Sequence, residues 1–225
     1  MAAGLRVLPR KRVVSDVLVE QFRTLPVANV SDSMGRLTAA GARLRPMHRG
    51  GSMAGPALTV KAAPGDHLML HKSIQLARPG DVVVMDAGGD LTNALMGELM
   101  LTQFIAKGVA GIVINGAIRD AAFIREHDMP VFAAGITHRG PYKNGPGEIN
   151  VAVAIDGMVV EPGDLVIGDE DGVLCVPFAD AAAVLAASQA KFAAEQKQMA
   201  SIQAGTYDPA WVDETLRRLG CDFVD

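Results

Sequence analysis

Cysteine is scarce: Cys175 and Cys221 lie far apart and never approach a Cys-X-X-Cys spacing. That excludes a disulfide scaffold and points to free thiols in a reducing, cytoplasmic setting. Aromatic residues make up only 4% of the chain, so the core must be built by close packing of small aliphatic side chains. Uncharged runs such as residues 108–118 are far too short to span a bilayer. An early basic group, Arg6, Arg10, Lys11 and Arg12, has no apolar stretch behind it, so no signal peptide is visible. There is no excess of positive charge either. The formal net charge is −4, which argues against a large nucleic-acid footprint.

What is present suits a globular enzyme-sized domain. The 225 residues are 49% hydrophobic and 20% charged, enough apolar material for one core. Ser15-Asp16 signals a short helix and Ser31-Asp32 a further helical turn. Extended stretches are expected at residues 43–46 and 54–62. Pro64-Gly65-Asp66 should open a helix with Asp66 as its N-cap. The β-branched run at residues 81–86 reads as a buried strand. A helix over 93–107, a strand over 111–114, a helix over 120–127 and a strand over 130–133 follow, the alternation of a layered α/β structure. From residue 148 onward the pattern turns to strands at 150–155, 158–160, 164–167 and 172–176, with Asp156-Gly157 as a hairpin signal. An alanine-rich helix is expected over 179–204 and a last helix after Asp208-Pro209. The long helix has little apolar face, which suggests that it reaches over a neighbouring subunit.

The segment Ile112-Val113-Ile114-Asn115-Gly116-Ala117-Ile118-Arg119-Asp120 carries the strongest chemical signal. A buried strand delivers an Arg-Asp pair to the carboxyl edge of a sheet, where ligands collect in open α/β folds. The alternative is that Asp120 simply caps the next helix. Gly97-Glu98 forms a second feature. A glycine inside a helix costs about 1 kcal/mol relative to alanine, so Gly97 implies either close backbone approach or a helix that starts there. Amides at a helix start attract a carboxylate. One helix and one strand fill the interval Glu98-X20-Arg119-Asp120, so both ends can meet at one edge.

These residues, with "NVSDSMG", "GDHLMLHKSI", "PGDVVVMDAGG" and "HRGPYKNGPGEINV", resemble the class II pyruvate aldolases for 4-hydroxy-4-methyl-2-oxoglutarate and 4-carboxy-4-hydroxy-2-oxoadipate. That family also contains the regulator of ribonuclease activity A. The resemblance runs from about residue 26 to 177. It implies a single α/β domain with a swivelling β/β/α layered fold over residues 1–177, a C-terminal helical tail over 178–225, and assembly as a homotrimer or homohexamer. It implies Mg2+ or Mn2+ held by Asp120, directly or through water. Arg119 would orient the carboxylate of a small 2-oxo acid, with the amides near Gly97 and Leu99 completing that pocket. Glu98 stands at the acidic position that fixes a metal-bound water, where some relatives carry Asp. Glu195, within "KFAAEQKQ", matches a glutamate lent by an adjacent subunit. The implied reaction is retro-aldol release of pyruvate, with oxaloacetate decarboxylation as a side activity. The regulator branch, which would bind a ribonuclease or another protein partner instead, tends to lack the Asp after the Arg; this chain keeps Asp120.

Other features carry less. His67 and His71 are four apart and could form a zinc pair, but no Glu follows His67 and no third ligand is evident. The loop at 136–148, with His138, Arg139 and Lys143, could meet a distal carboxylate or form a subunit contact, and the contact is favoured. It lacks the Gly-Lys-Ser/Thr ending of a phosphate loop. Nothing singles out Lys61 or Lys72 as a Schiff-base lysine. No Gly-X-Gly-X-X-Gly follows a strand, against a Rossmann dehydrogenase or typical methyltransferase.

Overall fold

The computed structural model describes residues 4–223. It divides into two compact units, the first ending at Ser188 and the second beginning at Gln189. In chain order the first unit holds β1 (Leu5–Val7), α1 (Asp16–Phe22), α2 (Val27–Ser33), β2 (Arg45–Pro46), β3 (Met53–Ala62), α3 (Leu68–Leu76) and β4 (Val82–Asp86). It continues with β5 (Ala94–Met96), α4 (Glu98–Ala106), β6 (Gly111–Ile118), α5 (Ala121–Glu126) and β7 (Val131–Ile136). Five short strands follow: β8 (Gly147–Ile149), β9 (Val153–Ile155), β10 (Met158–Val160), β11 (Leu165–Asp169) and β12 (Gly172–Val176). Helix α6 (Ala181–Gln203) buries Ala181 and Leu185 in the first unit and runs on into the second, which also contains α7 (Ala210–Arg218).

The main sheet runs β1-β8-β3-β4-β6-β7-β2. Its centre, β3-β4-β6-β7, is parallel, as crossover helices require. Side chains alternate between two cores. Val83, Met85, Ile112 and Ile114 pack with Leu70, Ile74, Leu101 and Phe104 of α3 and α4. Val82, Val84 and Val113 face the other way and pack with Val153, Ile155, Met158, Val160, Val166 and Cys175 of the strand-rich C-terminal part. A period of two therefore puts helices on one face and a second β layer on the other. The result is the expected β/β/α layering. Each such fully buried aliphatic side chain contributes about 1.5–3 kcal/mol before the entropy of ordering it is deducted.

Several expectations shift in detail. Helix α2 starts after Pro26 rather than after Ser31-Asp32, which occupy its last turn; proline's fixed φ suits a helix start. Asp66 does the expected capping chemistry one residue early. Its Oδ1 accepts the Leu68 amide at 2.9 Å, while His67 is the residue before the first turn. The strand expected at 150–155 is shortened to residues 153–155, and Asn150, at φ 57°, lies between β8 and β9. The Asp-Gly hairpin is as expected: Asp156 (φ 49°) and Gly157 (φ 92°) join the antiparallel β9 and β10.

Candidate functional site

The helix expected over 93–107 is two elements. Residues 94–96 form β5, which extends the sheet beside the end of β6, pairing Ala94 with Ala117 and Met96 with Ile118. The Arg119 amide continues this pairing by donating to the Met96 carbonyl at 2.9 Å. The chain then turns at Gly97 and α4 begins at Glu98. This places the start of α4 directly against Arg119 and Asp120. Gly97 is required by that contact: a Cβ there would lie 2.3 Å from Asp120 Oδ2 and 2.9 Å from Arg119 Cγ.

Asp120 precedes α5 but does not cap it. The residue is left-handed, φ 56°, and its carboxylate makes no capping bond to α5. Instead Oδ2 accepts the Glu98 amide at 2.9 Å, which puts the negative charge at the positive end of α4. The amide of Leu99, one residue further into the same first turn, has no acceptor within the helix. Arg119 Nε stands 3.7 Å from the same Oδ2. The two side chains retain 44% and 40% exposure, so both remain open to a ligand.

Arg119, Asp120, Gly97 and Leu99 line a cleft of about 120 Å³, whose lining also includes His67, His71 and Lys143. The loop that supplies Lys143 is tied down from several sides. Asp66 Oδ2 accepts the Asn144 and Gly145 amides at 2.6 and 2.9 Å. The His67 amide donates to Tyr142, and the Ala94 amide donates to Arg139. His67 is only 7% exposed. Its Nδ1 lies 2.9 Å from the Leu95 carbonyl, an atom that can only accept, so Nδ1 carries the hydrogen. Its Nε2 is buried without a hydrogen-bond partner. Burial is the main reason the His67 pKa falls below the ordinary histidine value, with nearby His71 and Lys143 adding to the drop against the Leu95 bond and Asp66. His71 is lowered in the same way, by burial and then Lys143.

The structure thus brings four of the six expected site residues to one cleft. Glu98 donates its amide to Asp120 and is exposed, but it is not among the residues that line the cleft. Glu195 lies on α6 beyond Gln189, 3.0 Å from Lys191 one turn back. The sequence gives no reason to single out His67 or Lys143, and the fold places both in the cleft lining. For zinc, no group of three His, Cys, Asp or Glu able to hold a metal occurs among the described residues. The donor set does fit a hard divalent ion: Mg2+ is commonly held by one or two carboxylates and completed by substrate oxygens and water, and Asp120 with Glu98 nearby offers that kind of site.

The chain matches the RraA-like family, described as Aldolase/RraA, over residues 27–175. It belongs to that family. A relative from Halalkalibacterium halodurans bearing the name "Putative 4-hydroxy-4-methyl-2-oxoglutarate aldolase" is 40% identical over 159 residues, 71% of this chain and 76% of the relative. Among solved structures, Streptomyces coelicolor RraAS2, an unusual member of the RNase ES inhibitor RraA family, superposes with a TM-score of 0.75 at 29% identity, covering 86% of this chain and 98% of that one. The RNA-processing inhibitor RraA of Thermus thermophilis gives 0.63 at 30% identity, covering 68% and 92%. No helix among the described residues is long and apolar enough to cross a membrane.

Proposed function

We propose that this chain is a divalent-metal-dependent pyruvate aldolase that cleaves a 4-hydroxy-2-oxo diacid, such as 4-hydroxy-4-methyl-2-oxoglutarate or 4-carboxy-4-hydroxy-2-oxoadipate. Oxaloacetate decarboxylation is its second activity. The observation that carries the reading is the convergence of Arg119 and Asp120 on the first turn of α4 in one cleft. Asp120 would hold Mg2+ or Mn2+, and the bound ion would stabilise the negative charge that develops on the C2 oxygen of the substrate.

The chain's own residues do the rest. Arg119 presents a planar guanidinium that can grip the substrate's C1 carboxylate through two hydrogen bonds. The amides around Gly97 and Leu99 add donors at the positive end of α4. Together they fix the C1–C2 unit so that the C3–C4 bond faces the cleft. Glu98, exposed at the start of α4, would hold a water that returns a proton to C3. Glu195, supplied by a neighbouring subunit of a homotrimer or homohexamer, would support the side on which the C4 hydroxyl loses its proton. Both activities pass through the enolate of pyruvate, so one charge-stabilising site serves both.

The inhibitors among its structural relatives motivate the alternative, a non-catalytic regulator of an RNA-processing enzyme. Retention of Asp120 beside Arg119 favours the aldolase. The two separate in one assay, pyruvate release from oxaloacetate and the two diacids after EDTA treatment, with and without added Mg2+. Metal-restored turnover supports the aldolase; absence of turnover on every substrate with Mg2+ present overturns it.

A further inference from the structure

His67 is the unexplained group in the cleft wall. A buried polar atom without a partner costs free energy, roughly 1–3 kcal/mol, and native structures rarely leave one. Nε2 of His67 is such an atom, in a ring that lines the same cleft as Arg119 and Asp120. The tautomer is fixed by the Leu95 carbonyl, so the neutral ring turns a lone pair, not a hydrogen, toward Nε2's surroundings. It can only accept. In a 4-hydroxy-2-oxo acid, the atom that must give up a hydrogen during retro-aldol cleavage is the C4 hydroxyl.

We infer that His67 Nε2 is the base that takes the proton from the C4 hydroxyl, a role that rests on the retro-aldol reading above. The hydroxyl proton passes to Nε2, and C4 keeps its oxygen as a carbonyl. The C3–C4 electron pair moves toward C2 and leaves the enolate of pyruvate. C3 then takes a proton from water on the Glu98 side, and the imidazolium releases its own proton to solvent. A hydroxyl reaching Nε2 displaces neighbouring side chains, of which His71 lies 4.4 Å away between ring centroids. The charged and titratable groups around the ring are His71, Lys143 and Asp66, with Arg119 and Asp120 lining the same cleft. Burial first, then His71 and Lys143, disfavours a lasting positive charge on His67, so the proton is not retained after the bond breaks.

Oxaloacetate separates this role from every other function of the cleft, because its decarboxylation leaves the same enolate with no hydroxyl to deprotonate. In the full-length protein with Mg2+, His67→Gln should lower kcat for diacid cleavage by about 100-fold or more. Oxaloacetate decarboxylation should fall at least about tenfold less than diacid cleavage, with near-native circular dichroism showing that the variant folds; His67→Asn provides a second test. The acid limb of the wild-type pH profile for cleavage should disappear in both variants. Equal activity of variant and wild type on the diacids, or parallel loss of both activities, overturns the assignment. A wild type that decarboxylates oxaloacetate but cleaves no 4-hydroxy-2-oxo diacid overturns the retro-aldol reading itself.

Discussion

Asp120 Oδ2 accepts the backbone amide of Glu98, 22 residues earlier in the chain, at 2.9 Å. The carboxylate therefore serves the helix that precedes β6, not the helix that it introduces. An aspartate between a strand and a helix ordinarily caps the helix; here the left-handed backbone at residue 120 turns the side chain across to α4.

Asp120→Ala should accordingly remain folded. It gives up one partly exposed hydrogen bond, about 1 kcal/mol, and no cap of α5. Thermal unfolding should show a small decrease, while Mg2+-stimulated pyruvate release falls by about 100-fold or more. Loss of the folded state would instead assign Asp120 a structural role.

Gly97→Ala is expected to be more damaging than its size suggests. The added methyl would meet Asp120 Oδ2 and the Arg119 side chain, and all three cannot keep their places. Circular dichroism should be near native, with kcat/KM reduced by about 10–100-fold, the order expected when reacting groups are misplaced by about 1 Å. Unchanged kcat/KM would show that the close approach has no functional consequence.

Glu195 calls for a mixing experiment. Arg119→Ala and Glu195→Ala chains, each inactive alone, should recover part of the activity when co-assembled, since some shared sites then receive both native side chains. No recovery above either parent counts against a glutamate donated between subunits.

Much of this was legible from the residues. The β-branched runs at 82–84 and 112–114 mark the strands, and their alternation is what builds two cores rather than one. The Arg119-Asp120 pair was placed at a strand's carboxyl end by simple counting. The helix boundary at residue 97 is not resolved, because the apolar Ala94-Leu95-Met96 is too short for its period to separate strand from helix. Only the pairing with Ala117 and Ile118 decides it. His67 escaped for a different reason. Its partners, Leu95 and Tyr142, are 28 and 75 residues away, and histidines four apart suggested a metal where the fold builds a wall.

The two cleft histidines should make stability depend on pH. An unfolded histidine titrates near about 6.5, and burial lowers both His67 and His71 in the folded state. As pH falls below about 6.5 the unfolded chain binds more protons than the folded one, so stability present above that pH is lost on the way down to the folded-state pKa. Urea unfolding between pH 7.5 and 5, as about the useful window, should show that decline, and His67→Gln should flatten it. Identical slopes for variant and wild type would mean that His67 does not titrate differently on folding.

Central to the account is a divalent ion at Asp120 beside an Arg119-bound 2-oxo acid. Crystals grown with Mn2+ and pyruvate test this directly through the manganese anomalous signal. The expected result is a peak at the Asp120 carboxylate, bonded directly or through one water, with the pyruvate carboxylate against Arg119 and the first-turn amides of α4. Pyruvate bound elsewhere, or a cleft without manganese at full ligand concentration, would contradict it.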